Sequence, residues 1–156
     1  MLKVGDKAPD FELVDQNNNK VNLNQYHGHW VVLYFYPKAL TPGCTVQACG
    51  LRDAADDLKT NNIAALGVSA DKPEKLQKFT EQKQLNFTLL SDVDKHCIEA
   101  YGVWQKKKFM GREYMGIVRW TFIIDPNGVI RDIMTKVKTK THHQDVIQII
   151  KNLQTQ

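Results

Sequence analysis

The chain has 156 residues, 42% of them apolar and 24% charged, with a net charge of +4. That length suits one domain with a sizeable core, and the composition is that of a soluble globular protein rather than a disordered or fibrous one. The mild positive charge is not gathered into a long basic face or run, which argues against nucleic-acid binding, and no apolar run approaches the ~20 residues of a membrane span.

Met1-Leu2-Lys3-Val4-Gly5-Asp6 meets charge at once and builds no signal-peptide core. The three cysteines are too few, and odd in number, for a secreted disulfide scaffold. A reducing cytoplasm is the expectation, where cysteine pairs are more often catalytic or metal-binding than structural.

Phe11-Glu12-Leu13-Val14 alternates apolar and polar residues, Asp15 to Asn19 is a turn cluster, and Val21-Asn22-Leu23 returns as a partner strand. These residues predict an N-terminal β-hairpin extension. Asn24 reads as the start of a short helical turn that Gly28 breaks. Trp30 to Tyr36 is apolar on both phases of a strand, so it predicts a strand covered on both faces. Pro37 ends it, lacking an amide for the ladder. Thr41-Pro42 reads as a helix start, with Thr41 at the N-cap and Pro42 at the first helical position. Cys44 then lies in the first turn, and Leu51 to Leu58 continues as a helical segment.

Ile63 to Ser69 is a second strand, Asp71-Lys72-Pro73-Glu74 opens a helix running to about Lys83, and Phe87 to Asp92 is a third strand. Asp94 to Tyr101 is a short helix ended by Gly102. The residues from Val103 to Tyr114 form an exposed excursion, and Lys106-Lys107-Lys108 with Arg112 reads as a solvated hairpin. Val118 to Ile124 and Val129 to Ile133 flank the turn Asp125-Pro126-Asn127-Gly128 as an antiparallel pair. Thr141 to Leu153 closes as a helix with Val146, Ile149, Ile150 and Leu153 on one face. The rhythm predicts a single α/β domain, residues 1–156, with a mixed central sheet flanked by helices.

The candidate chemistry gathers at Cys44. A helix N-terminus offers unpaired amides and a partial positive charge, and both favour a thiolate, the nucleophilic form of cysteine. By position alone, a reactive thiolate and a buried structural thiol are equally good readings. Cys49 follows five residues later. On one continuous helix that spacing separates α-carbons by about 8.6 Å, whereas a disulfide needs less than about 7 Å. If both cysteines share a helix, they cannot pair unless it locally unwinds. A metal site is a poorer reading, because two thiolates need two further ligands. Cys97, His96, His142 and His143 qualify only by type, and His142-His143 reads as a solvated pair.

Pro37-x3-Thr41-x2-Cys44 matches the active-site pattern of peroxiredoxins. The run Tyr36 to Thr45, with Gln47-Ala48-Cys49 and Arg52-Asp53, resembles the peroxiredoxin Q subfamily, also called bacterioferritin comigratory protein. The likeness spans essentially the whole chain, through Gly5-Asp6-x-Ala8-Pro9-Asp10-Phe11, Asp71-Lys72-Pro73-Glu74, Leu89-Leu90-Ser91-Asp92, Tyr101-Gly102-Val103-Trp104 and Arg119-x-Thr121-Phe122-Ile123-Ile124-Asp125. Ala39 and Trp120 depart from many relatives, which carry an acidic residue and a serine there.

This resemblance implies a thioredoxin-like fold and a thiol peroxidase acting on hydrogen peroxide and small organic hydroperoxides. It implies Cys44 as the peroxidatic cysteine and Cys49 as the resolving one, joined in an intramolecular disulfide that a thioredoxin-type reductant reopens. It also implies Thr41 as a hydroxyl that bonds peroxide and thiolate, Pro37 as a shield of the pocket, and Arg119 as the cation beside the thiolate. No cofactor and no metal are expected, no nucleic acid or membrane partner, and a monomer is.

Overall fold

The structure, a computed structural model, describes residues 1–156. Strand β3 (Trp30–Phe35) lies inside a seven-stranded mixed sheet, and each of its residues is at most 7% exposed. It runs parallel to β4 (Ile63–Ser69) and antiparallel to β8 (Thr121–Ile124). β4 pairs parallel with β5 (Thr88–Ser91), and β8 pairs antiparallel with β9 (Ile130–Met134). The N-terminal hairpin, β1 (Glu12–Asp15) and β2 (Lys20–Asn22), extends the sheet beside β5, as its alternation predicts. The full order is β2-β1-β5-β4-β3-β8-β9. The apolar run of β3 follows from this position, since an inner strand has core on both faces.

Side-chain alternation along β3 feeds two separate cores. Val32, Tyr34 and Tyr36 point to the layer of α1 (Pro42–Asp53), α2 (Ala55–Thr60), α3 (Pro73–Lys83) and α5 (His142–Gln154). Val31, Leu33 and Phe35 point to the layer that holds α4 (His96–Ala100), Ala8, Phe11 and Tyr101. In that second layer Phe122 meets Phe35 edge-on at 5.9 Å and Tyr101 at 5.0 Å, and the Tyr101 hydroxyl donates to the Pro9 carbonyl at 2.6 Å. Each aliphatic or aromatic side chain fully buried here contributes about 1.5–3 kcal/mol. The reading of a central mixed sheet flanked by helices, with an N-terminal hairpin, is borne out.

Several boundaries differ from the sequence reading. The short helical turn spans Leu23–Tyr26 and is capped by Asn22, whose side chain accepts from Gln25 N–H while Gln25 returns a bond to the Asn22 amide, so Asn24 is inside it. α4 begins at His96 rather than Asp94. The segment Leu51 to Leu58 is not one helix: α1 stops at Asp53 and α2 restarts at Ala55. β8 begins at Thr121, three residues later than expected, because Val118 to Trp120 form a turn. Strands β6 (Trp104–Phe109) and β7 (Arg112–Ile117) form the expected hairpin as a separate two-stranded sheet.

Candidate active site

Thr41 and Pro42 start α1 as the sequence predicts, with Thr41 extended at the N-cap and Pro42 in the first position. The first helical hydrogen bond runs from Thr45 N–H to the Thr41 carbonyl at 2.9 Å. Pro42 has no amide to strand, and the amides of Gly43 and Cys44 precede that bond, which leaves the helix N-terminus electropositive. Cys44 is the third residue of α1 and is 2% exposed. Pro37 is half-buried in the loop that enters the helix. The Thr41 hydroxyl makes no capping bond to α1; it donates backwards to the Lys38 carbonyl at 2.7 Å. Its proton is therefore committed, and its oxygen is left as an acceptor.

Arg119 reaches this helix from the turn before β8. Trp120 N–H donates to the Val118 carbonyl at 2.9 Å, a three-residue γ-turn centred on Arg119. The turn takes Arg119 out of the strand and aims its side chain at α1. One guanidinium nitrogen, Nη1, donates to Cys44 Sγ at 3.4 Å and to Gln47 Oε1 at 2.8 Å. A β-carbon at Gly43 would stand 3.4 Å from Nη2, at ordinary van der Waals contact. A fixed cation and a helix N-terminus thus converge on one sulfur, the arrangement that favours a thiolate.

Cys49 lies further along the same unbroken α1, half-buried, and both thiols are free. Helix geometry puts their α-carbons about 8.6 Å apart, beyond disulfide reach. Cys97 sits 3% exposed in the opposite layer, and burial, with Asp92 nearby, pushes its thiol up. It is a core thiol, not part of this cluster.

These observations can be set against known proteins. The AhpC/TSA family model matches residues 4–133. The chain belongs to that family. It is 53% identical to peroxiredoxin Bcp of Escherichia coli over 150 residues, 96% of each chain, and 43% identical to peroxiredoxin Bcp of Bacillus subtilis over 152 residues, 97% of each. Among solved structures, a cysteine-to-serine mutant of Xylella fastidiosa PrxQ superposes with a TM-score of 0.93 at 28% identity, covering 99% of this chain and 98% of that one. A Xanthomonas campestris bacterioferritin comigratory protein, studied for alkyl peroxide reduction, gives 0.87 at 30% identity over 92% and 91% of the two chains. The fold of this AhpC/TSA member is accordingly thioredoxin-like.

Two parts of the site escaped the sequence reading. His142 is not solvated but 0% exposed, with Nδ1 3.2 Å from Gln47 Nε2 and Nε2 2.9 Å from Thr121 Oγ1. The signal was available: His142, Val146 and Ile150 recur every four residues and share the buried stripe of α5. Gln47 is likewise 0% exposed, on the α1 stripe of Cys44, Ala48 and Leu51. Lys107 is the other. It is half-buried at the hairpin base, donates to the Ile117 carbonyl at 3.0 Å, and is pushed down by burial and by Arg119. Gly116 lets its stem lie back across β7. Lys106, Lys108 and Arg112 remain exposed, as expected for a solvated hairpin.

Burial lowers His142 to about 4, with His143 and Arg119 acting the same way and Asp145 opposing them. An unfolded histidine titrates near 6.5, so the unfolded chain binds the extra proton first. This contribution to stability is complete above about pH 6.5 and is lost as pH falls toward 4, amounting to ~3 kcal/mol at its limit. Urea melts between pH 7 and pH 4 should show it, and the variant H142N should flatten that part of the profile. An unchanged slope in H142N would assign the acid loss to other groups.

Proposed function

We propose that this chain is a thiol peroxidase that reduces hydrogen peroxide and small organic hydroperoxides, with Cys44 as nucleophile. The observation that carries the reading is the Arg119 guanidinium 3.4 Å from Cys44 Sγ at the N-terminus of α1. The thiolate form of Cys44 is the nucleophile of this reaction, and a cation beside it can also stabilise negative charge developing on the leaving oxygen. The thiolate attacks one peroxide oxygen and the O–O bond breaks. Cys44 becomes a sulfenic acid, and the alkoxide or hydroxide leaves to take up a proton as alcohol or water. Thr41 Oγ1, whose hydroxyl donates its hydrogen bond to the Lys38 carbonyl, accepts a hydrogen bond from the peroxide O–H and orients it. Pro37, half-buried at the loop, narrows the approach to the sulfur. The chemistry calls for neither metal nor cofactor.

Resolution falls to Cys49. Its thiol gives up a proton as the sulfur attacks the Cys44 sulfenic sulfur, the S–O bond breaks, the departing hydroxyl takes up a proton to leave as water, and an intramolecular disulfide forms. Since α1 as folded holds the two too far apart, its first turns unwind for this step. An external dithiol of the thioredoxin type then reduces the bridge by exchange. The whole cycle fits within one chain, so a monomer suffices, and a reducing compartment such as the cytoplasm keeps the thiols available.

The test is consumption of peroxide by the purified chain with a thioredoxin system, followed over many turnovers. After one equivalent of peroxide, peptide mass spectrometry should find Cys44 linked to Cys49. A Cys49→Ser chain should instead accumulate the Cys44 sulfenic acid and pass to the sulfinic acid at higher peroxide. If that variant still forms an intramolecular bridge, through Cys97, the resolving role moves there. Consumption that stops after a single turnover would make the chain a peroxide sensor rather than an enzyme.

A further inference from the structure

Three elements distant in sequence meet on one imidazole. β8 supplies Thr121, α1 supplies Gln47, and His142 opens α5. Their hydrogen bonds have a direction that can be worked out from the cation. A guanidinium has donors only, so Gln47 must turn its carbonyl oxygen to Arg119, as the 2.8 Å contact requires. The amide nitrogen of Gln47 is then the group facing His142 Nδ1, 3.2 Å away. That nitrogen donates, so Nδ1 must accept and carry no proton. The imidazole proton therefore sits on Nε2 and is donated to Thr121 Oγ1 at 2.9 Å. One tautomer, and only the neutral one, satisfies every bond from Arg119 inward.

We propose that His142 is a positioning residue for the peroxidase reaction. Its neutral Nε2–H imidazole holds the Gln47 amide the one way round that lets the Gln47 carbonyl and Cys44 Sγ share Arg119 Nη1. The proposal rests on the peroxidase reading above. Protonation of His142 would set N–H against NH2. Gln47 would then have to flip, turning its own donors toward the guanidinium and releasing it from the sulfur. The surroundings keep that proton away. The Tyr34 ring packs 5.5 Å from the imidazole, and Arg119 and His143 are cations or potential cations nearby. Asp145, the one acidic group acting on it, accepts a bond from the Thr141 hydroxyl at 2.9 Å. Gly67 makes the Tyr34 contact available, since a β-carbon there would stand 2.8 Å from the Tyr34 hydroxyl.

A packing role and a positioning role are separated by variants that keep different ends of the imidazole. Asn at 142 retains an acceptor where Nδ1 stands; Gln at 142 reaches toward Thr121 but leaves Gln47 without its acceptor. Two rates are read on the full chain: kcat/KM for peroxide with saturating thioredoxin-type reductant, and alkylation of Cys44 by iodoacetamide in a Cys49→Ser, Cys97→Ser background. H142A and H142Q should lose about tenfold in both rates, the value of one well-placed hydrogen bond, while H142N stays within about twofold. At a fixed, subsaturating reductant concentration the turnover rate under saturating peroxide is set by disulfide reduction, and that rate should not move. Q47A should fall alike, and H142A/Q47A should fall no further than either single variant. Equal rates in H142N and H142Q, or a double variant that loses the product of the two single losses, would overturn the proposal. So would an H142A chain within about twofold of the parent. If H142A does not fold, the Asn and Gln pair still decides. A parent chain that consumes no peroxide would sink the peroxidase reading alone, because the alkylation series still reports whether His142 acts on Cys44.

Discussion

Replacing Cys44 with serine should reduce peroxide consumption to the uncatalysed background. A serine hydroxyl is far less acidic than a thiol and stays protonated near neutrality, so it supplies no comparable nucleophile there. The substitution is close to isosteric at a 2% exposed position, so the melting transition should survive it. The control is Cys97→Ser, which removes the thiol of the opposite layer and should leave consumption intact. A Cys44→Ser chain that keeps most of its activity would sink the mechanism, whatever its fold.

Arg119→Ala should lower the second-order rate with peroxide by about 10²–10³-fold, the loss found when one preorganised donor to a developing anion is removed. The loss should include disorder of Gln47, since the nitrogen that donates to Cys44 Sγ also donates to Gln47 Oε1. Arg119→Lys should fall between. An ammonium keeps the charge, but without the planar fork it cannot hold the same geometry on two partners. Stopped-flow oxidation of Cys44 measures both, with reduction of the disulfide by thioredoxin as the unaffected half-reaction. A loss confined to that second half-reaction would remove Arg119 from the peroxide step.

How much of this was legible in the residues varies with the range of the interactions involved. β3 announced itself because burial on both faces demands an uninterrupted apolar run, and Trp30 to Phe35 has one. The start of α1 was equally local, being written in Thr41-Pro42. Arg119 is the intermediate case. Its approach to Cys44 was implied by resemblance, yet strand propensity placed it inside a strand, and only the γ-turn at Val118 to Trp120 shows how it leaves the ladder. His142 was misread because its neighbours Thr141, His143 and Gln144 are polar, and what buries it comes from residues 21 and 95 positions away. No local pattern contains those partners. The four-residue stripe to Val146 and Ile150 could at least have shown that it faces inward. Thr41 is the N-cap as read, and the structure adds that its hydroxyl turns to the preceding loop rather than to the helix.

The close seat of α5 on α1 bears on the energetics of the cycle. A β-carbon at Gly50 would lie 2.5 Å from His143 Nδ1, so α5 packs directly on α1 one residue beyond Cys49, and Leu51 behind it is 0% exposed. In the cycle proposed above, the turns from Pro42 to Cys49 open; they carry buried Cys44, Gln47 and Ala48, so their opening would be work done against the core. In the oxidised chain that work is stored in the disulfide and returned when the bridge is reduced and the helix re-forms. Each ~1.4 kcal/mol of it would make the couple more oxidising by about 30 mV, so the packing of Cys44, Gln47 and Ala48 would help set how readily an external dithiol completes the cycle.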